Sequence, residues 1–123
     1  MAQPAASSVP TISTHVLDAE RGAPAVGVHV TLYRLGEDAR PIRLTQALTD
    51  GDGRVRDLLE RPLAAGDYRL EFTLASERDA DGGDDPGRFF RRLSLDLRVT
   101  DVARSYHVPL LLAPYSMTTY RGS

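Results

Sequence analysis

The feature of this sequence that most constrains its fold is an alternation of apolar and polar residues with a period of two. It is clearest over residues 28–33, 68–74 and 93–100. Because successive side chains of a strand point to opposite faces, each stretch predicts a strand with one buried and one wet face. Three less regular stretches are further strand candidates: residues 12–18, 42–49 and 106–115. Short strands separated by Gly, Pro and Asp turns at this spacing predict an all-β fold, an antiparallel β-sandwich.

The chain has the length of one folded domain. Its 123 residues lie within the usual size of a single domain. Residues 1–10 are small, polar and proline-containing, and we expect them to form a flexible N-terminal arm. Residues 11–123 are then the folded domain. Within it, residues 76–88 form a polar loop rich in glycine and aspartate, with one helical turn expected at its start.

Composition excludes several kinds of chemistry and of partner. The chain has no cysteine, which excludes disulfides, thiolate nucleophiles and cysteine-ligated metal centres. All 15 basic residues are arginines, so no lysine is present for Schiff-base chemistry. The net charge of −2 gives no electrostatic case for nucleic acid or an anionic membrane surface, and no apolar run is long enough to cross a bilayer. The N-terminal residues do not resemble a secretory signal, so we expect a cytoplasmic location.

Residues 106–115 are apolar on both faces of the predicted strand. Pro109 has no N–H to donate to a neighbouring strand, so we expect an edge strand and not a central one. An edge strand that is apolar on both sides needs cover. A second subunit in a symmetric oligomer is the simplest cover, and burial within one monomer is the alternative.

Histidines and arginines are the residues best suited to chemistry. His15 and His107 lie on predicted strands, and imidazole moves protons readily near neutral pH. A lone histidine on a strand is more often structural than catalytic, so both interpretations stay open. Arg54 follows the tight Asp52-Gly53 turn, and Arg121 lies near the end of the sequence. If these groups converged, a histidine could deprotonate water and an arginine could hold an anionic substrate, but the spacing does not show convergence.

Two stretches of the chain carry a family resemblance. The first contains Thr14-His15-Val16-Leu17-Asp18, and the second begins at His107-Val108-Pro109-Leu110 and closes with Tyr120-Arg121-Gly122-Ser123. Together with Asp52-Gly53-Arg54, they make the chain resemble the 5-hydroxyisourate hydrolases, the enzyme branch of the transthyretin-like family. The closing YRGS is the most specific element, because the hormone carriers of the family lack it. The resemblance covers residues 11–123.

The resemblance implies a transthyretin-like (prealbumin-like) antiparallel β-sandwich with one short helix. It also implies a homotetramer, a dimer of dimers, with active sites in the channel between dimers. The implied reaction opens the cyclic amide ring of 5-hydroxyisourate, an intermediate of urate breakdown, to give 2-oxo-4-hydroxy-4-carboxy-5-ureidoimidazoline. No metal or organic cofactor is implied, because the substrate is already activated.

The resemblance also assigns roles to residues of this chain. The implied catalytic residues are His15, Arg54 and His107: the histidines activate water, and the arginine binds substrate carbonyls and stabilises the anionic intermediate. The implied substrate-binding residues are Tyr120, Arg121, Gly122 and Ser123. The chain departs from the family pattern at residues 74–77, at Ser105, at Ala113 and at residues 116–118.

Two other functions compete with the hydrolase. One is a non-enzymatic carrier that binds a small hydrophobic ligand in a central channel. The other is an interaction module that uses an exposed strand edge to bind a partner. The presence of the histidine and arginine set favours the enzyme over the carrier. A stable monomer would favour the interaction module, and the fold alone does not fix that function.

Overall fold

The computed structural model describes residues 9–74 and 89–122, and all of the regular structure in these ranges is β. The strands are β1 (Ile12–Asp18), β2 (Ala23–Pro24), β3 (His29–Leu35), β4 (Pro41–Leu48), β5 (Arg54–Val55), β6 (Gly66–Thr73), β7 (Arg92–Val99), β8 (Tyr106–Ala113) and β9 (Ser116–Thr119). The all-β prediction is confirmed, and every strand predicted from alternation is present within a few residues of its expected ends. The helical turn expected near residue 76 lies outside the described residues, as do residues 1–8 of the expected arm. Over the described ranges there is no helix that could span a membrane.

Two sheets pack against each other to form the sandwich. The first sheet has the order β2-β1-β8-β9, and β5 pairs with β1 on the edge that also carries β2. The second sheet has the order β4-β3-β6-β7, and all its pairs are antiparallel. Among the described pairs, β1 and β8 alone run parallel. The chain therefore brings one of its first strands beside one of its last.

The core lies between the sheets and follows the alternation seen in the sequence. In β6, Tyr68, Leu70 and Phe72 are buried, whereas Arg69 and Glu71 point the other way and are partly exposed. Burial of each such apolar side chain contributes about 1.5–3 kcal/mol relative to exposure. These contacts hold the sheets together and fix which face of each strand remains outside.

Two core residues have no signal in the alternation. Leu58 and Leu59 follow β5 and are fully buried. The Leu58 N–H donates to the Ile12 carbonyl oxygen, and the Asp57 carboxylate accepts hydrogen bonds from the backbone N–H groups of Leu59 and Glu60. The local turn that the Asp57 carboxylate holds therefore directs both leucine side chains into the core.

The prediction that residues 106–115 form an edge strand is wrong. β8 lies inside the first sheet, between β1 and β9. The proline is tolerated because pairing with β9 is interrupted opposite Pro109: β9 ends at Thr119, and pairing resumes as an isolated bridge between His107 and Gly122. The Pro109 carbonyl oxygen instead accepts a hydrogen bond of 2.8 Å from the Thr119 hydroxyl.

The two faces of β8 have different surroundings within the monomer. Tyr106, Val108 and Leu110 are buried in the core between the sheets. His107 and Leu111 lie on the outer face of the first sheet and are only half-buried. The monomer thus buries most of the inner face of this strand and leaves its outer face, apart from the buried Pro109, only partly covered.

Candidate active site

A tight turn from Asp50 to Arg54 sets the position of the candidate arginine. The Asp50 carboxylate accepts hydrogen bonds from the backbone N–H groups of Asp52 at 2.8 Å and Arg54 at 3.0 Å. These bonds lower the pKa of Asp50, the bond from Arg54 contributing most. Gly53 has a φ of 77°, and a Cβ there would overlap the Val16 carbonyl oxygen, so the turn requires glycine. The turn delivers Arg54 into β5, beside β1.

The register of β1 places His15 next to Arg54 on the outer face of the first sheet. His15 lies opposite Arg54 in β5 and opposite Pro109 in β8. Directly opposed residues share a face, with Cβ atoms about 4.5–5.5 Å apart. The His15 Nε2 lies 2.9 Å from the carbonyl oxygen of Asp52. Because a carbonyl only accepts hydrogen bonds, Nε2 carries the hydrogen, and Nδ1 is the free nitrogen of neutral His15.

β8 presents His107 on the same outer face. Its partner in the parallel ladder is Ser13, whose Oγ lies 2.9 Å from His107 Nδ1. Burial lowers the pKa of His107 most, and the charges of Arg54 and His15 lower it further, whereas a hydrogen bond with the Ser13 backbone opposes the shift. The three side chains expected to be catalytic are therefore close enough to influence one another. The His107 imidazole stays neutral to a lower pH than an ordinary histidine.

A cleft of about 270 Å³ opens at this point. Its lining residues are Ser13, Thr14, Arg54, Arg56 and His107. His15 is not among them and stands beside Arg54 in the ladder. The sequence alone did not single out Ser13 or Arg56. Ser13 could have been found, because it lies two residues before His15 and residues two apart on a strand share a face. Within the described ranges no group of three or more His, Asp or Glu side chains could hold a metal ion.

The predicted substrate-binding tail comes back to β8 at Gly122. The Gly122 N–H donates a 2.7 Å hydrogen bond to the His107 carbonyl oxygen. A Cβ on residue 122 would lie 2.9 Å from His107 Cδ2, so only glycine lets the backbone lie this close to the imidazole. Ser123, which follows it, lies outside the described residues.

The other two tail residues line a different cleft. The Arg121 Cζ lies 4.8 Å from the ring centroid of Tyr106, a cation–π contact on the inner side of β8. Tyr106 is itself fixed, since its hydroxyl donates to the carbonyl oxygen of Asp101 and accepts from the Asp101 N–H. Arg121 and the largely exposed Tyr120 line a cleft of about 310 Å³ between β7 and the tail. Gly122 thus lies beside His107, whereas Tyr120 and Arg121 do not line the cleft that contains His107.

Comparison with known proteins places this geometry in a family. The family model described as HIUase/Transthyretin matches residues 12–122, which is almost the whole chain. The chain belongs to the HIUase/Transthyretin family. A relative named 5-hydroxyisourate hydrolase, from Caulobacter vibrioides, is 40% identical over 116 residues that cover 91% of this chain and 97% of the relative.

Solved structures of the HIUase/Transthyretin type include both an enzyme and a ligand binder. The 5-hydroxyisourate hydrolase of Klebsiella pneumoniae superposes with a TM-score of 0.74 at 36% identity, covering 93% of this chain and 99% of that one. The sea bream transthyretin in complex with thyroxine has a TM-score of 0.77 at 26% identity, covering 90% of this chain and 93% of that one. Since these folds are equally similar, the side chains of the cleft bear on function more than the sandwich does.

Proposed function

We propose that this chain is a hydrolase that opens the cyclic amide ring of 5-hydroxyisourate in urate breakdown. The product is 2-oxo-4-hydroxy-4-carboxy-5-ureidoimidazoline. The observation that carries the proposal is the outer face of the first sheet, where His15, Arg54 and His107 meet beside a cleft that Gly122 adjoins. The relative named 5-hydroxyisourate hydrolase, 40% identical to this chain, supports it.

His107 supplies the general base in the proposed mechanism. Neutral imidazole takes a proton from water while the water oxygen bonds to the ring carbonyl carbon next to nitrogen. The carbon–nitrogen bond then breaks, and the imidazolium returns the proton to the departing nitrogen. One water is consumed, and the base ends as it began. The lowered pKa of His107 keeps the imidazole in its neutral, proton-accepting form at neutral pH.

Arg54 and His15 complete the polar side of the site. Arg54 binds the substrate's carbonyl oxygens and stabilises the negative charge that develops on the attacked carbonyl. His15, held by the Asp52 carbonyl, keeps Nδ1 free to orient the attacking water. No metal or organic cofactor takes part in these steps.

The tail residues shape the substrate side of the pocket. In the proposal, Gly122 borders the substrate ring beside His107, and Arg121 anchors the tail. Tyr120 and Ser123 are substrate-binding residues only as the family resemblance implies, since Tyr120 lines the other cleft within the monomer. The cation–π contact between Arg121 and Tyr106 supports the anchoring role.

The proposal includes a homotetramer, a dimer of dimers, and a cytoplasmic location. Support for assembly comes from the half-buried Leu17, Leu111 and Ala113, which share the outer face with the histidines. β7 and β9 are edge strands of the two sheets, and such edges offer pairing positions to a second copy. Light scattering coupled to size exclusion measures the assembly, and a monomeric mass contradicts this part of the proposal.

The test follows the ultraviolet decay of 5-hydroxyisourate made in place from urate and urate oxidase, with spontaneous decay as baseline. We expect the parent protein to accelerate the decay. In His107→Asn we expect the catalysed rate to fall roughly 10²- to 10⁴-fold, which is the usual contribution of a general base. His29→Asn is the matched control, because His29 lies in β3 of the second sheet, and it keeps the parent rate. A well-folded parent that does not accelerate decay refutes the hydrolase and favours a carrier, as the thyroxine complex of the sea bream neighbour suggests.

A further inference from the structure

Ser13 makes a contact that the mechanism described so far does not use. Its Oγ lies 2.9 Å from Nδ1 of His107, across the parallel β1–β8 ladder. Both residues line the same cleft, and both side chains lie on the outer face of the first sheet. The contact joins residues 94 positions apart, so it depends on the fold and not on local sequence.

The environment of the imidazole limits which of its atoms can react. Ser13 occupies Nδ1, and the Gly122 backbone lies against the Cδ2 edge, where a Cβ would come within 2.9 Å. The remaining polar atom is Nε2, which is therefore the nitrogen left to the cleft. To accept a proton, Nε2 must carry no hydrogen. The single N–H of the neutral imidazole is then on Nδ1.

Arg54 favours the same assignment. The Ser13 hydroxyl can donate or accept, so it fits either tautomer of His107, whereas the Ser13 backbone, whose hydrogen bond raises the pKa of His107, accepts from a ring N–H. The guanidinium of Arg54 has donors only, lines the same cleft and acts electrostatically on His107. Near that positive charge, a bare nitrogen turned toward the cleft is more stable than an N–H turned toward it. With Nε2 bare, Nδ1–H donates to the Ser13 hydroxyl oxygen.

We infer that Ser13 is a positioning residue: it holds His107 as the Nδ1–H tautomer, so that Nε2 is the atom that takes the proton from water. The inference deepens the proposed hydrolase and rests on it for its catalytic meaning. The tautomer itself is a property of the protein without substrate, so it is measurable independently of the reaction. Besides Ser13, the groups that act on His107 are Arg54 and His15.

The first experiment measures the tautomer directly. Protein labelled with ¹⁵N-histidine is examined by long-range ¹H–¹⁵N correlation NMR above the pKa of His107, with His107→Asn used to assign the signals. We expect a protonated Nδ1 and a bare Nε2 in the parent, and a mixture of both tautomers in Ser13→Ala. Ser13→Thr keeps the hydroxyl and restores the parent pattern. A parent that holds the hydrogen on Nε2 overturns the inference.

The second experiment links the tautomer to the rate. In Ser13→Ala we expect kcat for 5-hydroxyisourate to fall roughly fivefold, the equivalent of one ordinary hydrogen bond, with KM unchanged and activity restored in Ser13→Thr. Ser94→Ala, which removes a strand hydroxyl bonded to Glu71 in the second sheet, is the matched control and keeps the parent kcat.

The outcomes separate the inference from the proposed function. A Ser13→Ala variant with parent kcat, or with lower kcat and an unchanged tautomer, contradicts the positioning role. A parent with the Nδ1–H tautomer but no acceleration of 5-hydroxyisourate decay refutes the hydrolase and leaves the Ser13–His107 hydrogen bond established.

Discussion

Gly122→Ala tests whether contact with the tail keeps His107 in its working position. A methyl group at residue 122 would lie 2.9 Å from His107 Cδ2, 3.2 Å from Cβ and 3.3 Å from Cγ. Ordinary contacts begin near 3.4 Å, so the imidazole and the tail must separate by about 0.5 Å. Gly122 does not have a positive φ, so the substitution acts through this contact and not through backbone strain.

The size of the effect follows from that displacement. Since a 1 Å misplacement of a reacting group costs up to about 10²-fold, a shift of half that size predicts roughly a tenfold loss of kcat. The expected loss of folding stability is below about 1 kcal/mol, because the change lies outside the core. The assay is the decay of 5-hydroxyisourate in a stopped-flow spectrophotometer, together with urea unfolding of the same samples.

A matched glycine substitution provides the control. Gly36 lies in the turn between β3 and β4, and a Cβ there meets only ordinary contacts of 3.5 Å and 3.8 Å. Gly36→Ala therefore keeps the parent kcat. Full activity in Gly122→Ala, with His107 unmoved in its NMR spectrum, would refute the claim that the tail positions the imidazole.

Two further predictions follow from the turn and from the pKa of His107. The kcat/KM for 5-hydroxyisourate reports ionisations of the free enzyme, and it rises with pH as His107 loses its proton. Because burial and the charge of Arg54 lower the pKa of His107, the midpoint lies below the ordinary 6.5, and NMR titration of Arg54→Gln gives a higher His107 pKa. A flat profile of kcat/KM from about pH 5 to 8 contradicts histidine as the base. In Gly53→Ala the free energy of unfolding, measured with urea, falls by roughly 2 kcal/mol or more, because a Cβ at φ 77° overlaps the Val16 carbonyl oxygen. A free energy of unfolding within about 0.5 kcal/mol of the parent contradicts the claim that this turn requires glycine.

Alternation predicted the strands because the information is local. In β3, β6 and β7 the core-facing residues are spaced by two, and the period alone decides which face is buried. Alternation did not predict the burial of Leu58 and Leu59. These residues are buried by a turn that the Asp57 carboxylate holds, and a turn has no repeating pattern of apolar residues.

Pro109 illustrates the limit of a local rule. The rule that proline lacks a donor is correct, and it predicted an edge strand. It could not reveal that β9 would stop at Thr119, so that no residue of β9 is paired with Pro109. Strand order is decided by long-range pairing, which alternation does not encode.

The candidate site was accessible to sequence only through resemblance. His15, Arg54 and His107 are far apart along the chain, and nothing in their spacing brings them together. Their convergence depends on the registers of β1 with β5 and β8. Ser13 shares a strand face with His15, but its contact with His107 is identified only when β8 lies beside β1.

The parallel pairing of β1 with β8 has a consequence for how the protein is made. His107 is 94 positions after Ser13 in the chain. At 5–20 residues per second, the ribosome needs roughly 5 to 20 s to synthesise this stretch. For that time β1 leaves the ribosome without the neighbour that completes its ladder, and its free edge is open to unwanted pairing. The candidate cleft is also incomplete until β8 has been made, because Ser13 and Arg54 precede His107 in the chain. If the proposed function holds, activity in a cell extract therefore reports chains that extend beyond His107.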